Sequence, residues 1–246
     1  RNLANIPGKG EVLNLVSAWW FERTRDIIPN HMIEVVSPTK MRVKKCTVFP
    51  IEVIVRGYIT GTTNTSIWTL YQQGERQFFD TTLPDGLSKN AKLPQPILTP
   101  TTKAEDHDAP LTPETLKQLD GITEIEWTYI AERATALFEY GQHIAEQAGL
   151  ILVDTKYEFG KDADGNILLI DECHTPDSSR YWDATTYADN IAAGKEPDNF
   201  DKEVLRLWYR EHCDPYHDET LPDAPQSLID QVAGCYREIY TRLVGG

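Results

Sequence analysis

The sequence lacks a long hydrophobic run. No stretch of its 246 residues approaches the roughly 18 consecutive apolar residues of a membrane helix, because charges interrupt every apolar segment. Its first ten residues, Arg1 to Gly10, contain no apolar core of the kind found in signal peptides. These absences exclude a membrane span and give no sign of a secretory leader.

Cysteines are few, and positive charge is in deficit. Four cysteines are spread along the chain without a C-x-x-C pair, which argues against a disulfide scaffold and a structural zinc site and favours the cytoplasm. The net charge is 24 − 38 = −14, so the overall field repels nucleic acid and anionic lipid. A small phosphorylated substrate can still bind where a few Arg or Lys side chains converge in a cleft.

The hydrophobic pattern alternates between helical and extended periods. The spacing of Trp19, Trp20 and their apolar neighbours predicts a packed helix, and residues 43–59 predict two strands joined near Phe49-Pro50. Residues 60–113 are rich in Thr, Gly and Pro and predict a long irregular region. Thr112-Pro113 is typical of a helix start. Further helices are predicted at residues 125–148, 202–211 and 226–243, and strands at 150–159 and 166–172.

The strand LILVDTKYEF, residues 150–159, carries the most informative polar residues. Alternation places Asp154, Lys156 and Glu158 on one face and residues 153, 155, 157 and 159 on the other. A two-residue turn at Asp164-Gly165 would set Glu158 opposite Asp171. Opposed carboxylates destabilise a sheet unless a cation such as Mg²⁺ neutralises them. A longer turn would shift this register, so it stays open.

Three loops carry further candidate ligand groups. In DECHTPDSSRYW, residues 171–182, Arg180 offers a planar fork for a carboxylate or phosphate, although a plain polar turn with Asp177 as a helix cap is an equal alternative. In VIVRGYITGTTNTS, residues 53–66, Arg56 precedes a glycine-hydroxyl loop suited to phosphate. TKAEDHDAP, residues 102–110, could simply be a solvated charged loop.

Taken together with IPGKGEVL near the start, these segments resemble the phosphoribosylaminoimidazole-succinocarboxamide synthase (SAICAR synthetase) family, from about Ile6 to the C-terminus. In its long Pro-rich insertion and C-terminal helices the chain is more similar to the monofunctional fungal-type enzymes. The resemblance implies a cytoplasmic ligase of purine biosynthesis. It would use ATP and Mg²⁺ to condense the carboxyaminoimidazole ribotide CAIR with L-aspartate, giving SAICAR, ADP and phosphate. It implies no nucleic-acid or membrane partner and allows a monomer.

Residue roles follow from matching the family's motifs. Glu158 and Asp171 would hold Mg²⁺, and Lys156 would neutralise oxygens between them. Arg56 and Arg180 would bind the 5′-phosphate or the substrate carboxylates, and together with Lys156 they are the predicted catalytic residues. The remaining candidates are Thr62 and Ser179 as hydroxyl donors, Asp177 for ribose hydroxyls, Lys103, His107 and Asp108 in a substrate loop, and the backbone from Lys45 to Val48 for adenine.

The implied fold is an α+β two-domain fold related to ATP-grasp and kinase-like folds. Its ATP cleft would lie between an antiparallel-sheet N-terminal domain, of which residues 1–48 are the remainder, and a larger α+β domain at residues 49–246. Where the family carries an aliphatic pair after Asp171-Glu172, this chain has Cys173-His174. The family's N-terminal G-K-V-R-D hairpin is not in the sequence, and we expect the chain to begin inside a longer protein.

Two rival functions remain open at this point. The D-x-K of Asp154 and Lys156 also resembles inositol-phosphate kinases, which transfer phosphate to an alcohol. A nucleotide-binding protein without turnover is the other alternative. Consumption of aspartate and a dependence on CAIR would identify the ligase.

Overall fold

The computed structural model describes residues 3–103, 109–200, 203–214 and 217–245. The architecture is mixed α+β with antiparallel strand pairing, which confirms the predicted class. The helices are α1 (Lys9–Arg23), α2 (Ile67–Gln72), α3 (Pro113–Lys117), α4 (Glu124–Gln147), α5 (Ala184–Ala192), α6 (Glu203–His212) and α7 (Gln226–Val244). The strands are β1 (Met32–Ser37), β2 (Lys40–Val43), β3 (Thr47–Val48), β4 (Ile51–Tyr58), β5 (Gln77–Phe78), β6 (Thr81–Thr82), β7 (Lys92–Leu98), β8 (Thr101–Thr102), β9 (Leu150–Lys161), β10 (Ile167–Ile170) and β11 (Ser179–Asp183).

Strand β9 is the centre of a seven-stranded sheet. It is 12 residues long and pairs with β10, β4, β11 and β3, and β4 continues the sheet through β7 and β8. Strands β1 and β2 form a separate hairpin, as do β5 and β6. Because β9 contacts four strands, side chains on its polar face meet loops from several parts of the chain.

Helices cover the apolar face of this sheet. Trp20 of α1 is fully buried and Trp19 packs against the same core, as the helical spacing predicts. Helix α4 begins at a Thr123–Glu126 capping box, and α3 begins with Thr112 as N-cap and Pro113 at its start, which confirms that prediction. None of the helices that the structure describes is long and apolar enough to cross a bilayer.

The predicted register between the two strands of the β9–β10 hairpin is wrong by one residue. Glu158 lies opposite Ile170, not Asp171. The connection is longer than two residues: Asp162 pairs with Asn166 across the turn, and its carboxylate accepts backbone N–H bonds from Asp164 and Asn166. Gly165 takes the left-handed φ of 84° that closes such a three-residue loop.

The two faces of β9 match the predicted alternation except at Val153. Val153 was expected on the face of Tyr157 and Phe159, but it packs with Tyr58 and Trp182 in a small separate cluster. The pairing of β9 with β11 shifts between Arg180 and Tyr181, so the strict alternation assumed from the sequence breaks at this point.

Residues 60–113 are more regular than their composition predicts. They contain α2 and strands β5 to β8, and they enclose their own apolar cluster around Ile59, Tyr71 and Ile97. The prediction of a long irregular region is therefore wrong for the described part of this segment. The prolines are accommodated because β7 lies at the outer side of β4, where it needs fewer backbone donors.

Candidate functional site

A cleft of about 350 Å³ opens over the polar face of β9. Its walls come from β4, the loop that follows it, the loop before β11, and α6. Charged and hydroxyl-bearing side chains dominate the lining, and the charged ones are Arg56, Asp154, Lys156, Asp177, Arg180 and Arg206. The sheet therefore brings together residues that are up to 150 positions apart in the chain, since Arg56 and Arg206 share this one lining.

Asp154 organises two arginines at the centre of the cleft. Arg180 donates to both of its carboxylate oxygens, through Nε at 3.0 Å and Nη2 at 2.5 Å. Arg56 approaches the same carboxylate at 3.5 Å and donates through Nε to Thr99 at 2.8 Å. Burial lowers the pKa of Arg56 to about 10, with Asp154 opposing the shift, so the side chain keeps its charge at neutral pH.

Further along β9, Lys156 bridges two carboxylates. Its ammonium lies 2.6 Å from Glu52 on β4 and 3.5 Å from Glu158 on its own strand. Burial lowers the pKa of Lys156, but the hydrogen bond and charge of Glu52, together with Glu158 and Asp171, outweigh it and raise the pKa. Lys103 forms a second ion pair with Glu158, whose side chain is 9% exposed. Two lysines therefore neutralise Glu158 in the structure, whereas the sequence predicted a cation such as Mg²⁺ for this carboxylate.

Asp171 follows β10 in a left-handed conformation, with φ at 64°. Partial burial and the nearby charge of Glu158 raise its pKa, and Lys156 and Lys103 oppose that shift. Among the described residues, no group of three or more His, Cys, Asp or Glu is arranged to hold a metal ion by itself.

The loop before β11 is fixed to the strand below it. The carbonyl of Ser178 accepts from the Lys156 backbone N–H at 2.9 Å, and Ser179 shares a 2.8 Å hydroxyl contact with Thr155. Asp177 does not cap a helix: it bonds to Lys9 and Tyr236 at the edge of the cleft. The polar-turn alternative for this loop is thus wrong in its capping role.

Most of the predicted site residues converge. Six of them line the cleft: Arg56, Thr62, Lys156, Asp177, Ser179 and Arg180. Lys103, Glu158 and Asp171 form the adjacent charged cluster. The backbone from Lys45 to Val48 lines neither the cleft nor the hollow described next, and both side chains are exposed. His107 and Asp108 lie outside the described residues.

A second hollow lies on the other side of Asp171. It is lined by Asn14 and Ser17 of α1, by His31, by Met41 and Val43 of β2, and by Asp171 and Glu172. Its lining contains both apolar and polar groups. Because Asp171 borders this hollow and the charged cluster, a ligand could extend from one to the other.

Sequence reasoning missed four residues of the site. Asp154 was placed on the polar face without a role, and Glu52, Arg206 and Lys9 were not singled out. Glu52 alternates with Val53 in an apolar strand, and a buried carboxylate in such a strand is a signal that could have been used. Arg206 lies on α6, which the sequence predicts only as a helix, and the tertiary fold brings it to the cleft.

A family model described as SAICAR synthetase matches residues 2–222 of the chain. A phosphoribosylaminoimidazole-succinocarboxamide synthase of Legionella pneumophila (strain Lens) is 53% identical over 245 residues, which cover 100% of this chain and 78% of that protein. The chain belongs to the SAICAR synthetase family.

Solved structures of SAICAR synthetases agree with this assignment. The Saccharomyces cerevisiae SAICAR synthase complexed with SAICAR superposes with a TM-score of 0.79 at 30% identity, covering 99% of this chain and 83% of that one. A SAICAR synthetase in complex with ADP superposes with a TM-score of 0.72 at 30% identity, covering 99% and 84%.

Family membership decides between the functions left open by the sequence. The SAICAR synthetase chain is an ATP-dependent carbon–nitrogen ligase of purine biosynthesis, which condenses CAIR with L-aspartate. Use of ATP is confirmed with it. The small-molecule kinase is not favoured.

Proposed function

We propose that the cleft over β9 binds CAIR and L-aspartate and is where their condensation takes place. One observation carries this proposal: the cleft lining has four cationic side chains, Arg56, Lys156, Arg180 and Arg206, against two carboxylates, Asp154 and Asp177. The difference, 4 − 2 = +2, is a local positive charge in a chain of net charge −14. CAIR carries a phosphate and a carboxylate, and aspartate adds two carboxylates, so the cleft suits them.

The chemistry explains why cations and no protein nucleophile are needed. A carboxylate is a poor acceptor for an amine, so the carboxylate of CAIR first takes the γ-phosphoryl group of ATP, releasing ADP. The aspartate amine then attacks this acyl phosphate, the C–N bond forms, and phosphate leaves. Lys156, Arg56 and Arg180 would spread the negative charge that moves between oxygens, and fixed hydrogen-bond donors would orient the two carboxylates.

The remaining contacts assign finer roles. Arg56 and Arg180, already fixed by Asp154, would present outward-facing N–H groups to the 5′-phosphate or to substrate carboxylates. Thr62 and Ser179 would add hydroxyls from opposite walls. Asp177 would accept from ribose hydroxyls. Lys103, with His107 and Asp108 of the same loop, would contact substrate above Glu158.

The charged cluster fits Mg²⁺ next to this cleft. Glu158 and Asp171 supply hard oxygen ligands, and Mg²⁺ commonly uses only one or two carboxylates together with substrate phosphates and water. The two carboxylates repel each other in this structure and attract two lysines, which is the electrostatic setting that a cation would stabilise. When bound, the ion would neutralise the β- and γ-phosphates of ATP.

The nucleotide would then lie toward the hollow on the far side of Asp171. Met41 and Val43 offer an apolar wall for a base there, and Asp171 connects the hollow to the charged cluster.

Adenine contacts from the backbone of Lys45 to Val48 stay a prediction. The boundary between residues 1–48 and 49–246 stays one too: the β1–β2 sheet is separate, but β3 pairs with β9, and the main core includes residues from both sides. A cytoplasmic monomer without nucleic-acid or membrane partners is likewise only proposed, from the sequence.

Omission assays test the proposal directly. We expect ADP to form only when ATP, CAIR and aspartate are all present, or at a low rate with ATP and CAIR alone if the acyl phosphate is hydrolysed. ADP formation with an alcohol acceptor and no amino acid would indicate a kinase. Nucleotide binding without any turnover would indicate a binding protein.

A further inference from the structure

The carboxylate of Asp177 is held from two sides by helices at opposite ends of the chain. The Tyr236 hydroxyl of α7 donates to Oδ1 at 2.5 Å, and the Lys9 ammonium of α1 lies 2.8 Å from Oδ2. A carboxylate oxygen can accept more than one hydrogen bond, so the contacts to Tyr236 and Lys9 are compatible with a ligand hydroxyl that donates to Asp177. The two contacts fix the plane of the carboxylate.

Burial makes the Tyr236 contact a rigid one. Tyr236 is 1% exposed and its ring belongs to the main core, so its hydroxyl has a fixed position at the border of the cleft. The Lys9 ammonium also lies 5.6 Å from the centre of the Tyr236 ring, within the range of a cation–π contact. Lys9, Tyr236 and Asp177 therefore form one compact group in which each member restrains the other two.

Charge supplies a second reason for this group. A bare carboxylate at the cleft edge would repel a substrate that carries phosphate and carboxylate groups. Lys9 balances the charge of Asp177, so this side chain can accept a hydroxyl hydrogen bond without adding net negative charge near the ligand. The Asp177 side chain is 21% exposed, which leaves it accessible from the cleft.

We propose that Tyr236 and Lys9 are positioning residues, which hold Asp177 in the orientation that accepts hydrogen bonds from the ribose hydroxyls of CAIR. The proposal rests on the ligand role given to Asp177 above. It assigns to the C-terminal helix a part in substrate affinity, although the sequence of that helix indicates packing alone.

Tyr236→Phe is the sharpest test, because it removes only the hydroxyl and leaves the buried ring. We expect the KM for CAIR to rise about ten-fold, with the KM values for ATP and aspartate and the kcat nearly unchanged. Tyr240→Phe is the matched control: this residue lies one turn along α7, packs on the core and is absent from the cleft lining. A lower melting temperature without a change in KM would show a purely structural role and overturn the proposal.

Asp177→Asn distinguishes the ligand role of Asp177 from the positioning role of Tyr236 and Lys9. If Asp177→Asn leaves the KM for CAIR unchanged, the ligand role of Asp177 fails and the positioning role fails with it. If Asp177→Asn raises that KM but Tyr236→Phe and Lys9→Met do not, only the positioning role is overturned. In the double variant with Asp177→Asn, Tyr236→Phe should add less than a two-fold further change. Lys9 is 33% exposed, so Lys9→Met carries the test if Tyr236→Phe does not fold.

Discussion

Glu52 and Lys156 form an ion pair of 2.6 Å between neighbouring strands. The residue directly opposite Lys156 is Ile54, two positions after Glu52 on the same face of β4. Glu52 is 8% exposed, and the Lys156 ammonium also lies 3.5 Å from Glu158. Continuing the register one residue past the Val53–Tyr157 pair places Glu52 of β4 opposite Glu158 of β9. Lys156 is held between these two carboxylates and lines the cleft.

Glu52→Gln should weaken catalysis through Lys156. Without the hydrogen bond and charge of Glu52 the pKa of Lys156 would be lower, so the alkaline limb of the kcat/KM profile should move to lower pH. We also expect kcat/KM at neutral pH to fall about ten-fold, or ~1.4 kcal/mol in barrier. Glu126→Gln is the control, since Glu126 pairs with Lys161 at the outer end of β9. An unchanged alkaline limb would contradict this role.

Arg180→Lys should damage substrate binding even though it keeps the positive charge. Lysine cannot reproduce the two parallel bonds to Asp154 or present a planar fork to the ligand. We expect kcat/KM for CAIR to fall by about 10- to 100-fold in steady-state assays. Arg242→Lys, which breaks a similar pair with Asp183 away from the cleft, should leave the kinetics intact. Equal Michaelis constants for Arg180→Lys and the unaltered chain would argue against the ligand role.

Local patterns predicted the elements of this fold better than their connections. The helix start at Thr112-Pro113 and the long strand from Leu150 depend on neighbours in sequence, so they could be predicted directly. The β9–β10 register could not, because Asp162 uses its carboxylate to stabilise a longer turn than Asp164-Gly165 suggests. A one-residue difference in the loop moves Asp171 out of the ladder.

The site was predictable where its residues stand in compact motifs. Arg56, Lys156, Glu158 and Arg180 could be found because the family's motifs contain them. Lys9, Glu52, Arg206 and Tyr236 reach the site only through tertiary packing of α1, β4, α6 and α7. A carboxylate in an apolar strand marks Glu52 and the segment IPGKGEVL contains Lys9, whereas the sequence around Arg206 and Tyr236 predicts only helices.

Loss of either proposed metal ligand should raise the need for magnesium. Removing one carboxylate by Glu158→Gln or Asp171→Asn leaves a single hard ligand beside the phosphates. We expect the Mg²⁺ concentration for half-maximal ADP formation to rise at least about ten-fold, the scale seen when metal-site groups are altered. Asp164→Asn, at the exposed tip of the turn, is the control. Normal magnesium titrations for both variants would refute the assignment.

Two helical glycines should respond to alanine in opposite directions. A Cβ at Gly141 of α4 would lie 2.4 Å from Cε1 of the buried His174 ring, whereas a Cβ at Gly234 of α7 would meet nothing within 4 Å. Gly141→Ala should therefore lower the free energy of unfolding by about 1–3 kcal/mol through overpacking. Gly234→Ala should raise it by about 0.5–1 kcal/mol, because alanine favours the helix. Urea denaturation of the two variants measures both changes, and a stabilised Gly141→Ala would show that His174 can move aside.

The ring that opposes Gly141 belongs to a histidine without access to water. His174 is fully buried, packs 4.5 Å from the Trp20 ring between centroids, and hydrogen-bonds to the Tyr157 hydroxyl through Nε2. Its φ of 48° is left-handed, a region in which His and Asn are enriched among residues other than glycine. Burial lowers the pKa of His174 to about 3, so the folded state holds the neutral ring at every physiological pH.

His174 should make the fold acid-sensitive. In the unfolded chain its pKa returns to about 6.5, so below that pH the unfolded state binds a proton that the folded state excludes. Stability should then fall with decreasing pH between about 6.5 and about 3, by up to ~1.4 kcal/mol per unit.

His174→Asn tolerates the same backbone but cannot titrate, so its urea-unfolding free energy should depend less on pH from 7 to 5. His143→Asn, exposed on α4, should keep the original slope. If His174→Asn keeps that slope too, other groups cause the acid sensitivity, because lost packing alone would shift stability equally at both pH values.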